Sequence, residues 1–243
     1  MLNTRPAHQA KRLTDLFQQA GYCVIECPAL QIETQLLPKS PNWHQQDVWV
    51  FVSRNAVLHF AKQLASEQSQ TAKLVAVGAA TAEAIALQGW QNTQPLPSRY
   101  DSEGMLALAV FKQPKGLKVG VVRGDGGRAV LAETLKQQGA DVAFYEVYRR
   151  VAAPFCHQAW SRFKQMPYPV LFFSSNASLD AFVKQRSANN QAWYRAQPFI
   201  TFSQRIADYA RQQGFVGRAL VTANSTDQAV LDSFTLLLNS QGE

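Results

Sequence analysis

Short apolar runs separated by segments of helical periodicity make up most of this chain. The runs Val48–Val52, Leu74–Val77 and Val119–Val122 contain no polar alternation, which is typical of strands in a parallel sheet covered on both faces. Each run is followed by a turn rich in small or polar residues and then by a segment of helical spacing. The pattern predicts an α/β protein in which right-handed crossovers connect parallel strands.

The stretch from residue 117 to 151 shows this pattern most clearly. It opens with the run Val119–Val122, passes through a Gly-rich turn that carries two arginines, and continues as a helical segment that ends at Gly139. The segment Val142–Tyr148 then predicts a second strand. In such a turn, the N–H groups of a helix start would lie beside two guanidinium groups, and this arrangement suits an anion.

Two segments of the chain are repeated. Residues 4–26 show the same turn, helix, glycine and strand as the stretch at 122–144, and Phe51–Ala56 (FVSRNA) matches Phe172–Ala177 (FFSSNA). The chain therefore has the order A, B, A, B. Periodicity leaves two pairings open: tandem domains 1–115 and 116–243, or a central domain made of the first B and the second A, with the outer units joined across it.

Basic residues outnumber acidic residues. The 243 residues include 24 Lys and Arg against 17 Asp and Glu, a formal net charge of +7, which favours an anionic partner. The basic residues are scattered, with no run of five or more, and this argues against a nucleic-acid-binding tract. A small polyanion is therefore the favoured ligand class.

The three cysteines show no spacing typical of a metal site. Cys23 and Cys27 lie four residues apart in a predicted strand, so we expect them to share a face and to be small buried residues. This cysteine usage fits a reducing compartment. The chain enters a strand and turn almost at once, and no apolar stretch approaches ~20 residues. We therefore expect a cytoplasmic protein.

Ligands of doubly wound sheets bind beyond the carboxyl ends of the strands, where this chain has hydroxyl, amide, guanidinium and glycine residues. Helix capping would explain any one of the hydroxyl and amide residues, because Ser, Thr and Asn satisfy the free N–H groups of a helix start. Together they predict two surfaces that donate hydrogen bonds to carboxylates or phosphates. The candidate binding residues are Arg5, Ser53, Asn55, Gly78, Thr81, Arg123, Gly124, Gly127, Arg128, Ser174, Ser175, Asn176, Ser203 and Thr226.

Familiar catalytic and cofactor motifs are missing. The sequence has no Gly-Lys-Ser/Thr and no GxSxG, and the glycines at 124, 126 and 127 depart from the GxGxxG spacing of dinucleotide sites. The four histidines are dispersed, without the spacing of metal ligands. An enzyme of this kind would act by binding and orienting its substrate, without a metal or a covalent nucleophile.

Tyr148 is the candidate catalytic residue. It ends the second strand of the 117–151 stretch, two residues after Glu146 and just before Arg149 and Arg150. A phenol can donate a hydrogen bond to a leaving oxygen and so act as a weak general acid. The alternative is that an aromatic residue at a strand end simply packs against its neighbours.

Several short motifs occur in order across nearly the whole chain. They are Thr4-Arg5-Pro6, Phe51–Val57, Val75–Gly78 with Thr81-Ala82, Ser102–Gly104, Val122–Gly124 with Gly127-Arg128, and Val147-Tyr148. Together these motifs resemble the uroporphyrinogen-III synthase family. Each motif is weak alone, but few other families share this permuted double repeat.

The resemblance implies two flavodoxin-like α/β domains, each a doubly wound parallel sheet, with the nested pairing and a cleft between them. The expected inserted domain is 38–146, and the expected discontinuous domain is 1–29 plus 153–243. Residues 30–37 and 147–152 would form a two-stranded connection.

The resemblance also implies a function: a cyclising lyase of tetrapyrrole (porphyrin and heme) biosynthesis that needs no cofactor. It would close hydroxymethylbilane, a linear tetrapyrrole with eight carboxylates, into uroporphyrinogen III, with loss of water and inversion of ring D through a spiro intermediate. We expect a monomer whose partner is this small molecule, without nucleic acid or membrane, and with at most a transient contact to the enzyme that supplies the substrate. The alternative is a non-catalytic two-domain binding protein for a small polyanionic ligand.

Two positions stand out in this resemblance. Tyr148 matches the family's tyrosine, which is thought to assist the departure of hydroxide. The family's Gly-x-x-Thr-Ala turn is kept at Gly78–Ala82, but its second copy is Ser203–Ala207. Ile206 in this copy cannot donate a hydrogen bond, so a contact from this turn must come from Ser203 or from the backbone.

Overall fold

The structure, a computed structural model, describes residues 1–64, 71–99, 101–126, 130–186 and 191–240, except for the side chain of His8. It divides into two compact units. Unit 1 comprises Met1–Ile32 and Val151–Glu243, and unit 2 comprises Glu33–Arg150. The nested pairing is therefore the one observed, and tandem domains divided at residue 115 are not. The finer boundaries expected for the inserted and discontinuous domains stay a prediction.

The described residues form ten strands and ten α-helices. The strands are β1 Leu2–Asn3, β2 Ile25–Glu26, β3 Leu30–Thr34, β4 Val48–Phe51, β5 Lys73–Ala76, β6 Lys118–Gly124, β7 Asp141–Ala152, β8 Leu171–Phe173, β9 Phe199–Thr201 and β10 Ala219–Val221. The helices are α1 Ala7–Gln19, α2 Arg54–Ala61, α3 Ala79–Leu87, α4 Ser102–Leu106, α5 Val130–Gln137, α6 His157–Lys164, α7 Asn176–Lys184, α8 Gln191–Arg195, α9 Gln204–Gln212 and α10 Asp227–Asn239.

Unit 1 is built on a parallel sheet of five strands in the order β10-β9-β8-β1-β2. Counted along the unit, this is the 2-1-3-4-5 order of flavodoxin. Both faces are buried, as the apolar strand pattern predicts. Leu171 and Phe173 of β8 pack with Trp160 and Phe182, whereas Phe172 points to the opposite face and packs with Phe17.

Unit 2 has the sheet order β3-β7-β6-β4-β5, in which β4, β5, β6 and β7 are parallel. The order is again that of flavodoxin, except that the outer strand next to β7 comes from the N-terminal side of the unit. The apolar side chains of β4 alternate between the two faces of the sheet. Val48 and Val50 join a core with Leu131 of α5, while Trp49 and Phe51 contact the ring of Phe60. The predicted fold class is confirmed.

One local prediction about the cysteines was wrong. Cys27 is buried but Cys23 is exposed, because β2 begins only at Ile25. Helix α2 begins at Arg54, directly after its Ser53 cap. Helix α4 stops after Leu106 and is followed by a 3₁₀ turn at Ala109–Phe111.

Tyr148 was expected to end its strand, but β7 continues to Ala152. The sheet order explains the extra length, because β3 pairs alongside this part of β7 and the Gln35 N–H donates to the Val147 carbonyl at 2.9 Å. The part of β7 that carries Tyr148 is therefore held by backbone hydrogen bonds on both sides. In the described ranges, none of the helices has both the length and the apolar character needed to span a bilayer.

Candidate active site

The carboxyl edge of the unit 2 sheet gathers one group of the predicted residues. Strands β4, β5 and β6 run parallel, so the residues that follow them emerge at the same edge. Ser53 follows β4, Gly78 follows β5, and Gly124 ends β6 beside Tyr148 of β7. The fold thus brings together residues that are almost a hundred positions apart in the chain.

A hydrogen bond joins Tyr148 to the helix start after β4. The Tyr148 hydroxyl lies 3.1 Å from Ser53 Oγ, and either atom can be the donor. Ser53 Oγ also accepts a hydrogen bond of 3.1 Å from the Ala56 N–H and so caps α2. Ser53 therefore both caps the helix and contacts the candidate acid. This is possible because a hydroxyl oxygen can accept a hydrogen bond from the backbone and still donate its own hydrogen.

Gly124 provides the space in which the Tyr148 ring lies. A Cβ atom at position 124 would lie 2.4 Å from Tyr148 Cε2 and 2.5 Å from Cζ, far inside normal carbon contact. The two residues are paired in the sheet after a register shift at Arg123/Gly124, and the Asp125 N–H donates to the Tyr148 carbonyl at 3.0 Å. Glycine at 124 is therefore needed for the position of Tyr148, a reason the sequence did not reveal.

His59 forms a further wall of the Tyr148 site. Its ring centroid lies 5.6 Å from that of Tyr148, and its Nδ1 is 2.9 Å from Thr34 Oγ1. Burial, and to a smaller extent the charge of Lys62, lowers the pKa of His59 below its ordinary value of 6.5. The neutral ring is therefore the favoured form at neutral pH.

His59 and Thr34 were missed by the sequence reasoning. His59 lies on the buried face of a helix and Thr34 on a strand at the far side of the sheet. Neither residue belongs to a recognisable motif, so no sequence signal pointed to them.

Arg123 is engaged by an acidic neighbour. Its Nη2 and Nε lie 2.8 Å and 3.1 Å from Glu146 Oε1, and its guanidinium carbon lies 4.1 Å from the centroid of the Phe144 ring. A contact between Arg123 and a substrate carboxylate stays a prediction, and such a contact would have to share the guanidinium with Glu146.

The described contacts of the other predicted residues of unit 2 do not link them to Tyr148. Gly78 precedes α3 and has no side chain to cap it, while its carbonyl accepts from the Thr81 N–H at 3.0 Å. Thr81 is buried, and Asn55 is half-buried in the first turn of α2. Gly127 and Arg128 lie outside the described residues.

The carboxyl edge of unit 1 gathers the second group. Ser175 caps α7 by accepting from the Ser178 N–H at 3.1 Å, and Ser178 Oγ in turn accepts from the Ser175 N–H at 3.3 Å. Thr226 caps α10, whereas Ser203 precedes α9 without a side-chain cap. Ser174 and Asn176 flank Ser175 and are half-buried. Asn176 Oδ1 is buried and has no hydrogen-bond partner among the described residues.

Arg5 lies at the same edge in a largely buried ion pair. Arg5 Nη2 is 2.8 Å from Asp227 Oδ1 at the start of α10, and its guanidinium carbon is 5.3 Å from the centroid of the Phe172 ring. The carboxylate is also favoured by the positive end of the helix dipole. The two arginines of the repeat, Arg5 and Arg123, are thus both paired with acids of their own unit.

The described part of the chain contains no group of three His, Cys, Asp or Glu side chains that could hold a metal ion. The groups available at the two edges are hydroxyls, amides, backbone N–H groups, guanidinium groups and one phenol. Such groups can bind an anion, orient it and transfer a proton.

Comparison with known proteins agrees with the nested architecture. The chain matches the family model described as uroporphyrinogen-III synthase HemD over residues 11–231. The chain belongs to the uroporphyrinogen-III synthase family. It is therefore an enzyme of porphyrin biosynthesis that carries out a cyclisation on a small tetrapyrrole.

Relatives support this assignment along the chain. The uroporphyrinogen-III synthase of Escherichia coli K12 is 25% identical over 230 residues, covering 88% of this chain and 92% of that protein. The uroporphyrinogen-III synthase of Proteus mirabilis is 31% identical over 159 residues, covering 62% and 80%. The crystal structure of uroporphyrinogen-III synthetase from Helicobacter pylori 26695 is similar in fold, with a TM-score of 0.63 and 16% identity over 90% of this chain and 94% of that one.

Proposed function

We propose that this protein cyclises hydroxymethylbilane to uroporphyrinogen III and that Tyr148 assists the loss of hydroxide. The observation that carries the role of Tyr148 is its hydrogen bond to Ser53 at 3.1 Å. Because the Ala56 N–H already donates to Ser53 Oγ, the serine hydrogen is free to point at the phenol oxygen. The phenol hydrogen can then be donated to the leaving oxygen of the substrate.

In the proposed reaction, Tyr148 donates one proton and regains one, so the steps balance. Tyr148 protonates the hydroxyl group, which leaves as water, and the electron-rich pyrrole forms an azafulvenium cation. The substituted carbon of ring D attacks this cation and forms the spiro intermediate, which reopens and closes in the inverted sense. The proton lost when the last pyrrole regains aromaticity restores the phenol. These steps use only the substrate and the Tyr148 proton, so we propose that the enzyme is a cofactor-independent lyase.

Orientation would decide the isomer. Without guidance, the azafulvenium closes at the nearer position and yields the type I isomer. A hundredfold preference for type III requires about 2.7 kcal/mol of differential transition-state stabilisation, which a few oriented hydrogen bonds can supply. We propose that the donors at the carboxyl edge of each unit bind the substrate carboxylates, and that the enzyme is a cytoplasmic monomer, with at most a transient contact to the enzyme that supplies its substrate.

An isomer assay tests this function. Freshly generated hydroxymethylbilane is incubated with the protein, the product is oxidised, and the type I and type III porphyrins are separated by chromatography. Type III should predominate. Type I at the rate of the protein-free control would contradict the proposal, and retention of the ligand without turnover would instead indicate a binding protein.

The role of Tyr148 needs its own variant. Tyr148→Phe keeps the ring but removes the hydroxyl, so turnover should fall by about 10²-fold, in the range of positioned general acids. The product should remain type III, because orientation does not depend on the phenol. Turnover close to that of the wild type would rule out the general acid and leave the cyclisation itself untouched.

A further inference from the structure

Arg186 of unit 1 is buried among aromatic rings. It follows α7 and is only 6% exposed. Its guanidinium carbon lies 3.3 Å from the centroid of the Phe182 ring, 4.4 Å from that of Trp160 and 5.0 Å from that of Phe155. Its Nη1 donates to the Phe182 carbonyl at 2.7 Å. The cation is therefore held in one position, with its long side chain ordered.

A neutralising carboxylate is missing from the described surroundings of this cation. Among the described residues, no Asp or Glu oxygen lies within 4.0 Å of Arg186, and Arg186 Nε is buried without a hydrogen-bond partner. Two thiols lie near the guanidinium. Arg186 Nη2 donates a long hydrogen bond of 4.0 Å to Cys27 Sγ, and burial raises the pKa of Cys156 to about 12, so the Cys156 thiol stays neutral.

A buried, unneutralised guanidinium is costly. Burial lowers the pKa of Arg186 to about 10, which still leaves it protonated at neutral pH. Aromatic faces offset part of the lost hydration of a cation, but buried charges in proteins are normally paired. Arg5, the other buried arginine considered above, has Asp227 as its partner. Arg186 has no equivalent partner in the part of the chain that the structure describes.

A cavity of about 340 Å³ lies beside Arg186, within the size range of small-ligand sites. Its walls include the rings of Phe155 and Trp160, and its other charged or polar lining comes from Lys164, His157, Ser161 and Gln185. No acidic residue is among the described residues of the lining. Trp160 Nε1 is a further buried donor without a partner in the described part of the chain. The cavity therefore combines cationic and hydrogen-bonding groups with flat apolar walls.

We propose that this cavity, the Arg186 cavity, binds a small organic carboxylate whose charge neutralises Arg186 and whose apolar body packs against Phe155 and Trp160. The forked guanidinium matches a carboxylate. The aromatic walls favour an organic acid over inorganic phosphate, which has no apolar surface to bury. This site is built entirely from unit 1 and does not depend on the reaction proposed above.

Benzoate is a suitable probe, because its ring fits the aromatic walls, and benzamide is its neutral counterpart of the same shape. Calorimetric titration of the full-length protein should show saturable benzoate binding at one site per chain. Benzamide should bind at least about 10-fold more weakly, as expected when a charge-assisted hydrogen bond is lost. Inorganic phosphate should also bind more weakly than benzoate.

Two variants locate the site. Arg186→Met keeps an unbranched side chain but removes the charge, and it should weaken benzoate binding at least about 10-fold. Arg211→Met is the matched control, because Arg211 Nη1 also donates to a phenylalanine carbonyl at 2.7 Å and its guanidinium lies 5.3 Å from the Phe199 ring centroid. Arg211 does not line the cavity, so this variant should bind benzoate as the wild type does.

The proposal does not depend on the folding of Arg186→Met. If that variant fails to fold, Lys164→Gln at an exposed lining position should still weaken benzoate binding about 2- to 5-fold. Absence of saturable benzoate binding to the wild type would overturn the proposal. Equal affinity for benzamide, or unchanged affinity in a folded Arg186→Met or Lys164→Gln variant, would overturn it too.

Discussion

The helix start after β4 and the helix start after β8 are copies of one turn that serve different purposes. In unit 2, Ser53 caps α2 and its hydroxyl also reaches the phenol of Tyr148 on a distant strand. In unit 1, Ser175 caps α7 and its remaining contacts go to Ser178 of its own helix. In unit 2 the capping serine also bonds a residue of another strand, whereas in unit 1 it bonds residues of its own helix.

The comparison indicates that the turn of unit 2, rather than that of unit 1, is suited to catalysis. A self-contained capping box leaves little freedom to respond to a reacting group, whereas a hydroxyl between a backbone N–H and a phenol can pass on a change in hydrogen bonding. The two turns differ because different side chains lie next to their capping serines. Unit 2 places a tyrosine there because a glycine opposite leaves room for its ring.

Among the changes that test this comparison, the largest effect is expected from Gly124→Ala, which would remove the feature that distinguishes unit 2. The new Cβ would overlap the Tyr148 ring and move the phenol away from Ser53. Turnover of hydroxymethylbilane should fall roughly 10- to 100-fold, as for a catalytic group misplaced by about 1 Å, and overpacking should cost about 1–3 kcal/mol of stability. Rates are measured with the isomer assay, and stability by urea unfolding.

The control for Gly124→Ala is the same change in the Tyr148→Phe background. If Gly124 acts by placing the hydroxyl, the alanine should cause little further loss of turnover there. A full additional loss would show that Gly124 serves the reaction in another way.

The next effect concerns the buried ion pair at the edge of unit 1. Asp227→Asn leaves the Arg5 cation largely buried without its partner, so the free energy of unfolding should fall by about 3 kcal/mol. Asp232→Asn, at an exposed position of the same helix, should change it by no more than about 0.5 kcal/mol. Equal effects of the two changes in urea unfolding would show that the pair contributes nothing of its own.

A matched pair of cap variants tests the comparison directly. Ser53→Ala and Ser175→Ala should each cost about 1 kcal/mol of stability, because each removes a helix cap. Ser53→Ala alone should also slow turnover, by about 10-fold for one hydrogen bond to the phenol. If both variants turn over substrate at the same rate, the two turns are functionally alike and the distinction fails.

The smallest effect is the pH dependence that comes from His59. Its pKa is lowered in the folded protein, so the unfolded chain takes up a proton first as the pH falls below about 6.5, and the free energy of unfolding then decreases. In His59→Asn, the difference in unfolding free energy between pH 7.5 and pH 5.5 should be smaller than in the wild type. An unchanged difference in urea titrations at the two pH values would contradict the assignment.

The apolar runs and the repeat were enough to predict parallel sheets, crossover helices and glycine-ended helices, because these depend on local periodicity and turn chemistry. Gly139 shows this, since it has the positive φ of +91° expected after a helix. The predicted catalytic tyrosine and its serine neighbour came from the resemblance of short motifs. Their direct contact could not be predicted, because it depends on the register between strands far apart in the chain.

The tertiary structure alone decided three matters. It paired the first repeat with the last and so joined the two chain ends in one unit, a choice between equally periodic alternatives. It shifted the cap in the second copy of the turn from Ser174, which the sequence match aligns with Ser53, to Ser175. It also enclosed Arg186 in aromatic rings, with no carboxylate of the described residues beside it. Each outcome rests on long-range packing, in which neighbours in space rather than in sequence determine which charge, hydroxyl or ring a residue meets.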